Sequence, residues 1–195
     1  MMERVLAIGA HFDDVELAMG GTLIRHIQEK DSLSIAVMKA NEELSGPSNI
    51  RLEEQRESCR LLWNAVLICF NHPWSIESIV FQLDAIKPTI LYFPFESDYH
   101  QDHNFASKVG YAVSRNVQIT VLRYLCTTSH SYYPNYLAVI DIEAKKKLVS
   151  VFKSQMERRP KFMEIMEAQN RFFGSLIPGN GHFAEGFCAH RIVKI

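Results

Sequence analysis

Long uninterrupted apolar runs are missing from this 195-residue chain, although 47% of its residues are hydrophobic. A helix needs about 20 consecutive apolar residues to cross a bilayer, so we expect no membrane span. The first residues lead straight into a short apolar pattern at residues 2–9, without the basic and cleavable regions of a secretory signal. These absences argue against an integral membrane protein and against export.

Paired cysteines are missing as well. The four cysteines, Cys59, Cys69, Cys126 and Cys188, are scattered and form no C-x-x-C pair. Each lies in or beside an apolar stretch, which predicts reduced and largely buried thiols. None has a neighbouring histidine that would mark it as a nucleophile. This cysteine usage is typical of a cytoplasmic protein.

A strong excess of one charge is also absent. The chain has 21 Lys and Arg residues against 22 Asp and Glu residues, which gives a formal net charge of −1. Proteins that bind nucleic acid mainly through phosphates need a basic surface, so we expect no nucleic-acid partner. The run Lys145-Lys146-Lys147 is typical of a solvated helix face.

The chain does contain a regular alternation of strand-like and helix-like patterns. Such alternation predicts an α/β fold with a mostly parallel sheet flanked by helices. No internal repeat, low-complexity tract or domain boundary interrupts the sequence, so we expect residues 1–195 to form one domain. The last pattern, at residues 183–195, predicts an edge strand.

Polar side chains of the ligand type follow the first apolar run directly. His11, Asp13 and Asp14 come just after residues 5–8, and open α/β sheets bind their ligands beyond the carboxyl ends of strands. His11 and Asp14 could both bend toward one metal ion, while Asp13 would stay free to accept a proton from water. The simpler alternative is that one aspartate only caps the next helix. That alternative leaves the second aspartate and the histidine unexplained.

A second turn of the same kind follows the apolar run at residues 90–94. It spans residues 98–103 and holds Asp98, His100, Asp102 and His103. Two such turns at neighbouring strand ends could converge on one ion, since a catalytic metal site uses about three protein ligands. By spacing alone, either histidine could be the third ligand, and the other would donate to an oxyanion or a leaving group. The sequence therefore predicts a metal-dependent hydrolase.

Two other functions use similar residues. Two histidines and one carboxylate also suit Fe(II), as in non-heme iron oxygenases, although those enzymes usually have an all-β scaffold. Alternatively, the chain is a metal-stabilised binding protein or an inactive homologue, in which the ion is structural. The free carboxylate of Asp13 argues against a structural site, which has no use for an unliganded acid.

These two turns resemble the motifs of the PIG-L/LmbE-like deacetylases. Residues 10–16 read A-H-F-D-D-V-E and residues 20–22 read G-G-T, close to the family's A-H-P-D-D-x-E and G-G-T. Residues 100–103 match its H-x-D-H motif. Weaker matches follow the family's order: Arg51 with Glu54 for R-x-x-E, residues 153–155 for K/H-S-Q, and residues 183–187 for Y-A-E-x-F. The resemblance runs from residue 5 to about residue 190.

The resemblance implies a Rossmann-like three-layer α/β/α fold, often assembled into oligomers, and a zinc hydrolase that removes acetyl from N-acetylglucosamine-type sugars. The ligands that it implies are His11, Asp14 and His103. It makes Asp13 the general base that activates water. It makes His100 the residue that stabilises the oxyanion or protonates the leaving amine, with support from Asp102.

Substrate recognition is the least constrained part of the resemblance. Arg51 would contact sugar hydroxyls, and the Ser/Tyr-rich stretch at residues 129–133 predicts recognition by polar loops rather than by a long apolar groove. Phe12 stands where the family usually has proline, so the fixed φ of a proline is lost there. Phe12 either forms part of the substrate entrance or packs in the core.

Overall fold

The computed structural model describes residues 2–40, 48–71, 75–115, 118–179 and 181–193. Within these residues strands and helices alternate along most of the chain. The strands are β1 (Arg4–Gly9), β2 (Ser32–Val37), β3 (Val66–Cys69), β4 (Ile90–Pro94), β5 (Thr120–Tyr124), β6 (Tyr136–Val139) and β7 (Ala184–Arg191). The helices are α1 (Asp14–Gln28), α2 (Ser48–Leu61), α3 (Ile76–Asp84), α4 (Gln101–Val113), α5 (Ile142–Val149), α6 (Lys153–Arg158) and α7 (Phe162–Ser175).

The strands form one sheet in the order β3-β2-β1-β4-β5-β7-β6. Strands β1 to β5 are parallel to one another, while β7 is antiparallel to both β5 and β6. The predicted α/β fold with a mostly parallel sheet is therefore confirmed. The chain moves outward from β1 to β3 and then returns to place β4 on the other side of β1. Such a reversal of strand order creates a crevice at the carboxyl ends of β1 and β4, where α/β proteins bind ligands.

Helices cover both faces of the sheet, as β1 illustrates. Successive side chains of a strand point to opposite faces of the sheet, and both sets of β1 side chains are buried. Val5 and Ala7 pack in a cluster with α1, while Leu6 and Ile8 pack in a second cluster with α3 and α4. This burial on both faces explains why the first strand reads as a continuous apolar run rather than an alternating one.

Helix α1 contains a break just before the residues of the G-G-T match. Met19 has non-helical angles, φ −141° and ψ 24°. Downstream of it, the N–H groups of Gly21 and Thr22 donate to the carboxylate of Glu185 on β7, over 2.9 and 2.7 Å. Lys145 Nζ lies 2.7 Å from the same carboxylate, and both charged side chains are fully buried. The prediction of a solvated face is therefore wrong for Lys145, because Glu185 neutralises its charge inside the protein.

Two other predictions of the chain's architecture need correction. The strand predicted at residues 183–195 is not an edge strand, since β7 lies between β5 and β6, and β6 forms that edge. Helix α6 was not predicted, because it is only six residues long and too short to show a helical period. In the described part of the chain, no helix combines the length and apolarity needed to cross a membrane.

Candidate metal centre

The two predicted clusters meet at the crevice between β1 and β4. Asp14 Oδ2 lies 3.5 Å from His11 Nδ1 and 3.5 Å from His103 Nε2. The carboxylate of Asp14 is fixed by the backbone N–H groups of Ala10 and His11, which donate to Oδ2 over 3.1 and 2.9 Å. Ligand atoms around a tetrahedral zinc, with bonds of about 2.0–2.1 Å, lie roughly 3.3 Å apart. The spacing of these side chains therefore fits a metal ion.

The far side of each histidine ring is held by a carboxylate. His11 Nε2 lies 3.2 Å from Asp102 Oδ2, and His103 Nδ1 lies 3.1 Å from Asp98 Oδ2. A carboxylate accepts, so each of these ring nitrogens carries the hydrogen. In a neutral ring the other nitrogen then has a lone pair, and both lone pairs face Asp14. Two lone pairs and a carboxylate repel one another unless a cation lies between them, which is how metal-binding histidines are usually held.

The pKa values of Asp14 and His103 also indicate that the site attracts a positive charge. Burial opposes ionisation of Asp14, but the adjacent His103 and His11 outweigh it and hold the pKa of Asp14 well below its ordinary value. Burial would lower the pKa of His103, yet Asp14 and Asp98 raise it far above its ordinary value. Without a metal ion, a proton on His103 supplies the positive charge that the carboxylates attract.

Asp13 lies beside this group but does not join it. Its backbone is left-handed, with φ 95°, and its side chain forms no cap on α1. Burial, followed by the charge of Asp14, raises the pKa of Asp13 to about 8. Arg51 Nη2, 3.7 Å from Asp13 Oδ1, opposes that rise. A buried carboxyl that titrates near neutral pH is suited to accept and return a proton.

The carboxylate of Asp102 lies closer to His11 than to His100. This carboxylate pairs with His11 and, over 2.8 Å, with Lys39 Nζ, whereas 3.8 Å separate it from His100 Nδ1. The reason is that His100 caps α4, so its Nδ1 accepts the backbone N–H of Asp102. This bond leaves the hydrogen of a neutral His100 on Nε2. Burial and the nearby charges of His103 and His11 lower the pKa of His100, which favours that neutral form.

An open cavity of about 860 Å³ extends from these side chains. Its polar wall is formed by His11, Asp13, Asp14, Arg51, His100, His103, Thr127, Thr128, Gln155, Arg159 and Gln169. Its apolar wall includes Leu17 on α1 together with Phe162 and Met166 on α7.

Phe12 and the stretch at residues 129–133, which were considered for substrate contact, do not line this cavity. Phe12 is only 2% exposed and packs in the core cluster beneath α1, so it is a packing residue rather than part of the entrance. The Ser/Tyr-rich stretch at residues 129–133 does not contribute to the cavity wall. Ser129 Oγ donates instead to Asp98 Oδ2 over 2.8 Å. That stretch therefore supports the partner of His103 rather than a ligand.

Two of the weaker motif matches form one contact. Glu54 accepts the backbone N–H of Ser154 over 2.7 Å and its hydroxyl over 2.6 Å. The contact joins α2, which carries Arg51, to the start of α6, which carries Gln155. Both of these side chains line the cavity. Residues a hundred positions apart in the sequence thereby fix one side of the site.

Two supporting residues were not found from the sequence, Lys39 and Gln55. Asp98 belongs to the second predicted turn, but its role as the partner of His103 was not assigned. Lys39 and Gln55 lie far from either motif, and only the folded chain brings them to the site. Gln55 Oε1 accepts the backbone N–H of Asp13 over 3.2 Å.

Comparison with known proteins places these features in a wider set. The family model described as PIG-L, GlcNAc-PI de-N-acetylase, matches residues 6–114, more than half of the chain. A conserved protein from Thermus thermophilus is 25% identical with a TM-score of 0.85, covering 100% of this chain and 98% of that one. N,N'-diacetylchitobiose deacetylase from Pyrococcus horikoshii is 23% identical with a TM-score of 0.77, covering 95% and 82%. The 4-carboxy-2-hydroxymuconate hydratase from Pseudomonas putida is 14% identical with a TM-score of 0.76, covering 100% and 99%.

Proposed function

The chain belongs to the PIG-L family, and from this premise we propose that it is a zinc-dependent hydrolase that removes the N-acetyl group from an N-acetylglucosamine-type sugar conjugate. The observation that carries the proposal is the arrangement of two histidines and two aspartates in one cavity. His11, Asp14 and His103 have the spacing of ligands, and Asp13 stands beside them as a free acid. An amide hydrolase needs both parts.

The proposed ion is zinc, and His11, Asp14 and His103 would hold it. When bound, zinc acts as a Lewis acid on the amide carbonyl and lowers the pKa of a water molecule to about 7. Fe(II) suits the same donor set. Metal analysis of the purified protein decides between the two ions.

Asp13 is the proposed general base. Its carboxylate would take a proton from the attacking water and later return it to the departing amine. The pKa of about 8 is that of the metal-free site, and a cation held by the neighbouring ligands would lower it. A lower pKa increases the ionised fraction of Asp13 at the pH of the cell, as a base requires.

His100 is the proposed oxyanion donor. Its Nδ1 is occupied by the backbone N–H of Asp102, so the Nε2–H of the neutral ring is the group that it can offer. His100 lines the cavity, and 40% of its side chain is exposed. A neutral imidazole N–H stabilises a developing negative charge by a hydrogen bond. The proposed part of Asp102 is to orient His11 with its carboxylate and His100 with its backbone.

The cavity lining combines polar and apolar side chains. Arg51, Gln155 and Gln169 present donors and acceptors, and Phe162 and Met166 present apolar surface. Sugar rings carry hydroxyls at their rims and C–H groups on their faces, so a lining with both kinds of surface fits them. Arg51 is the residue that we propose for hydroxyl recognition.

The decisive experiment is a screen of N-acetyl amino sugars for released acetate. Zinc-loaded protein should release acetate from at least one conjugate, metal-free protein should release none, and Asp13→Asn should release it about 10²- to 10⁴-fold more slowly. Protein that binds zinc tightly but releases no acetate from any conjugate would favour the alternative, a metal-stabilised binding protein or an inactive homologue. The hydratase from Pseudomonas putida shows that the fold serves other reactions, so the fold alone cannot replace this screen.

The setting of the reaction is also a proposal. All four cysteines are free, and Cys59, Cys126 and Cys188 are buried, which supports a reducing compartment, the cytoplasm. We propose that residues 1–195 act as one domain with a small-molecule partner, without nucleic acid. Assembly into a homo-oligomer stays a prediction, which sedimentation would test.

A further inference from the structure

The peptide group that joins Phe12 to Asp13 is held at both of its polar ends by α2. Arg51 Nη2 donates to the carbonyl oxygen of Phe12 over 2.7 Å. Gln55 Oε1 accepts the N–H of Asp13 over 3.2 Å. Arg51 and Gln55 are four residues apart, so both extend from the same face of the helix. One helix face thus binds both polar atoms of one peptide plane, and we refer to Arg51 and Gln55 as the peptide clamp.

This peptide needs such support because of the backbone that follows it. Asp13 has φ 95° and ψ −27°, a left-handed conformation that residues other than glycine adopt at a cost. The conformation keeps the Asp13 carboxylate off the end of α1, where it would otherwise cap the helix, and in the cavity wall. Phe12, unlike a proline, does not fix its own φ. The clamp supplies from α2 a restraint on the turn that the residue itself lacks.

Gln55 can act only through other residues of the protein. Its side chain is fully buried and is not part of the cavity wall, so it has no access to substrate. Its Nε2 donates to Glu16 Oε1, which also accepts the hydroxyl of Ser58 over 2.6 Å. The backbone N–H of Asp13 needs an acceptor, so the amide oxygen of Gln55 faces Asp13 and its nitrogen faces Glu16.

We propose that Gln55 is a positioning residue, which together with Arg51 holds Asp13 in its left-handed conformation and thereby aims the general base at the reacting water. This inference rests on the function proposed above, in which Asp13 is the base. It gives α2 a role in the chemistry that requires no contact with the substrate or the metal ligands. It also gives the buried Glu16 a reason for its place, since Glu16 orients Gln55.

Amide hydrogen exchange at Asp13 tests the clamp without any assay of activity. In Gln55→Met the N–H of Asp13 loses its acceptor, so its protection should fall by about tenfold or more, the equivalent of roughly 1.4 kcal/mol. Ser58→Ala is the matched control, because it also removes a hydrogen bond to Glu16 but leaves the Asp13 peptide untouched. Equal protection of Asp13 in Gln55→Met and wild type would overturn the proposal.

Gln55→Met removes a hydrogen-bond donor to the buried Glu16 and could unfold the protein for that reason. A second variant keeps the test valid in that case. In Glu16→Met/Gln55→Met both members of the buried pair become apolar, which costs little when shape is kept. The comparison is then with Glu16→Met alone. The same loss of protection at Asp13 is expected between these two proteins, and its absence would count against the clamp in the same way.

A double-mutant cycle with Asp13→Asn tests the catalytic part. Gln55→Met should lower kcat about 10- to 100-fold in the wild-type background, the usual cost of a small misplacement, with KM unchanged. In the Asp13→Asn background the same change should lower the residual kcat less than about twofold, because the base is already gone. An equal loss in both backgrounds would show that Gln55 does not act through Asp13. If wild-type protein releases no acetate at all, the proposed function fails, while the exchange result still decides the clamp.

Discussion

The carboxylate of Asp102 lies 3.2 Å from Nε2 of His11, whereas 3.8 Å separate it from Nδ1 of His100. Asp102 is thus the carboxylate behind a metal ligand, in the same way that Asp98 stands behind His103. Partners of this kind orient the imidazole and raise its basicity. Each half of the site therefore has one histidine and one carboxylate behind it from the β4–α4 turn or the start of α4. His11 follows β1, whereas His103 lies in the first turn of α4.

The first prediction concerns this pairing. Asp102→Ala should weaken zinc binding by about 10- to 100-fold, the usual effect of removing such a partner. Competition with a chelator of known affinity would measure it. His100→Ala is the control and should bind zinc within about twofold of wild type. An Asp102→Ala protein with normal zinc affinity but reduced kcat would show that Asp102 acts on His100 instead.

The second prediction concerns the metal itself. Wild-type protein should bind one zinc per chain, and saturating zinc should raise its Tm, because a ligand that binds only the folded state stabilises it. His103→Ala removes one of three ligands and should lose both the bound metal and the rise in Tm, while keeping its circular dichroism spectrum. Elemental analysis and thermal scans test this. Full metal content in His103→Ala would remove His103 from the ligand set.

How much of this site follows from the sequence depends on the kind of residue. His11, Asp14 and His103 could be found because ligand-type side chains stand out when they follow an apolar strand, and because neighbouring strand ends converge. The supporting residues on β2, α2 and the segments that follow them could not be found in that way. Lys39 reaches Asp102, and Gln55 reaches Asp13, only because β2 and α2 pack beside the site. No local pattern in the sequence reports such a contact.

The fold also has features that local sequence patterns predict and features that depend on distant partners. The apolar runs of β1 and β4 and the helical periods between them predict the parallel sheet correctly. The place of β7 between β5 and β6 depends on pairing between strands, which one strand's pattern does not contain. Lys145 was misplaced for a similar reason, since its partner Glu185 is forty residues away and arrives on β7.

The third prediction follows from the pKa of Asp13. Burial and then Asp14 raise that pKa from 3.8 to about 8 in the metal-free folded state. Between about pH 4 and 8 the folded protein therefore binds a proton that the unfolded chain releases, so the free energy of unfolding falls as pH rises through this window. Asp13→Asn removes this decrease in the free energy of unfolding, because asparagine does not titrate. Asparagine also tolerates a positive φ.

Metal-free Asp13→Asn should consequently be more stable than metal-free wild type at pH 8.5, by an amount on the order of a few kcal/mol. The difference should shrink at pH 5. Urea unfolding of both proteins in the presence of a chelator measures it at each pH. A difference that is the same at pH 5 and 8.5 would mean that Asp13 does not titrate in this window.

The fourth prediction concerns Arg51. Its charge lowers the pKa of Asp13, so Arg51→Met should move the acidic limb of the kcat profile to higher pH. KM should rise as well, because the proposed hydroxyl contacts are lost. Arg56→Met is the matched control, since Arg56 is one turn along α2 but exposed and paired with Glu53. A raised KM with an unmoved acidic limb would limit Arg51 to substrate binding.

The last prediction separates two neighbours, Asp13 and Asp14. Asp14→Asn removes the charge that faces His11 and His103, so this variant should lose most of its zinc and, with it, its activity. Asp13→Asn should keep its zinc, because Asp13 is not a ligand, yet lose catalysis by about 10²- to 10⁴-fold, the usual contribution of a positioned base. Zinc content and kcat are measured on the same preparations. If Asp13→Asn kept a near-normal kcat with zinc bound, the proposed mechanism would be wrong. Loss of zinc in both variants would instead make Asp13 part of the metal site, and the left-handed turn would then serve binding rather than proton transfer.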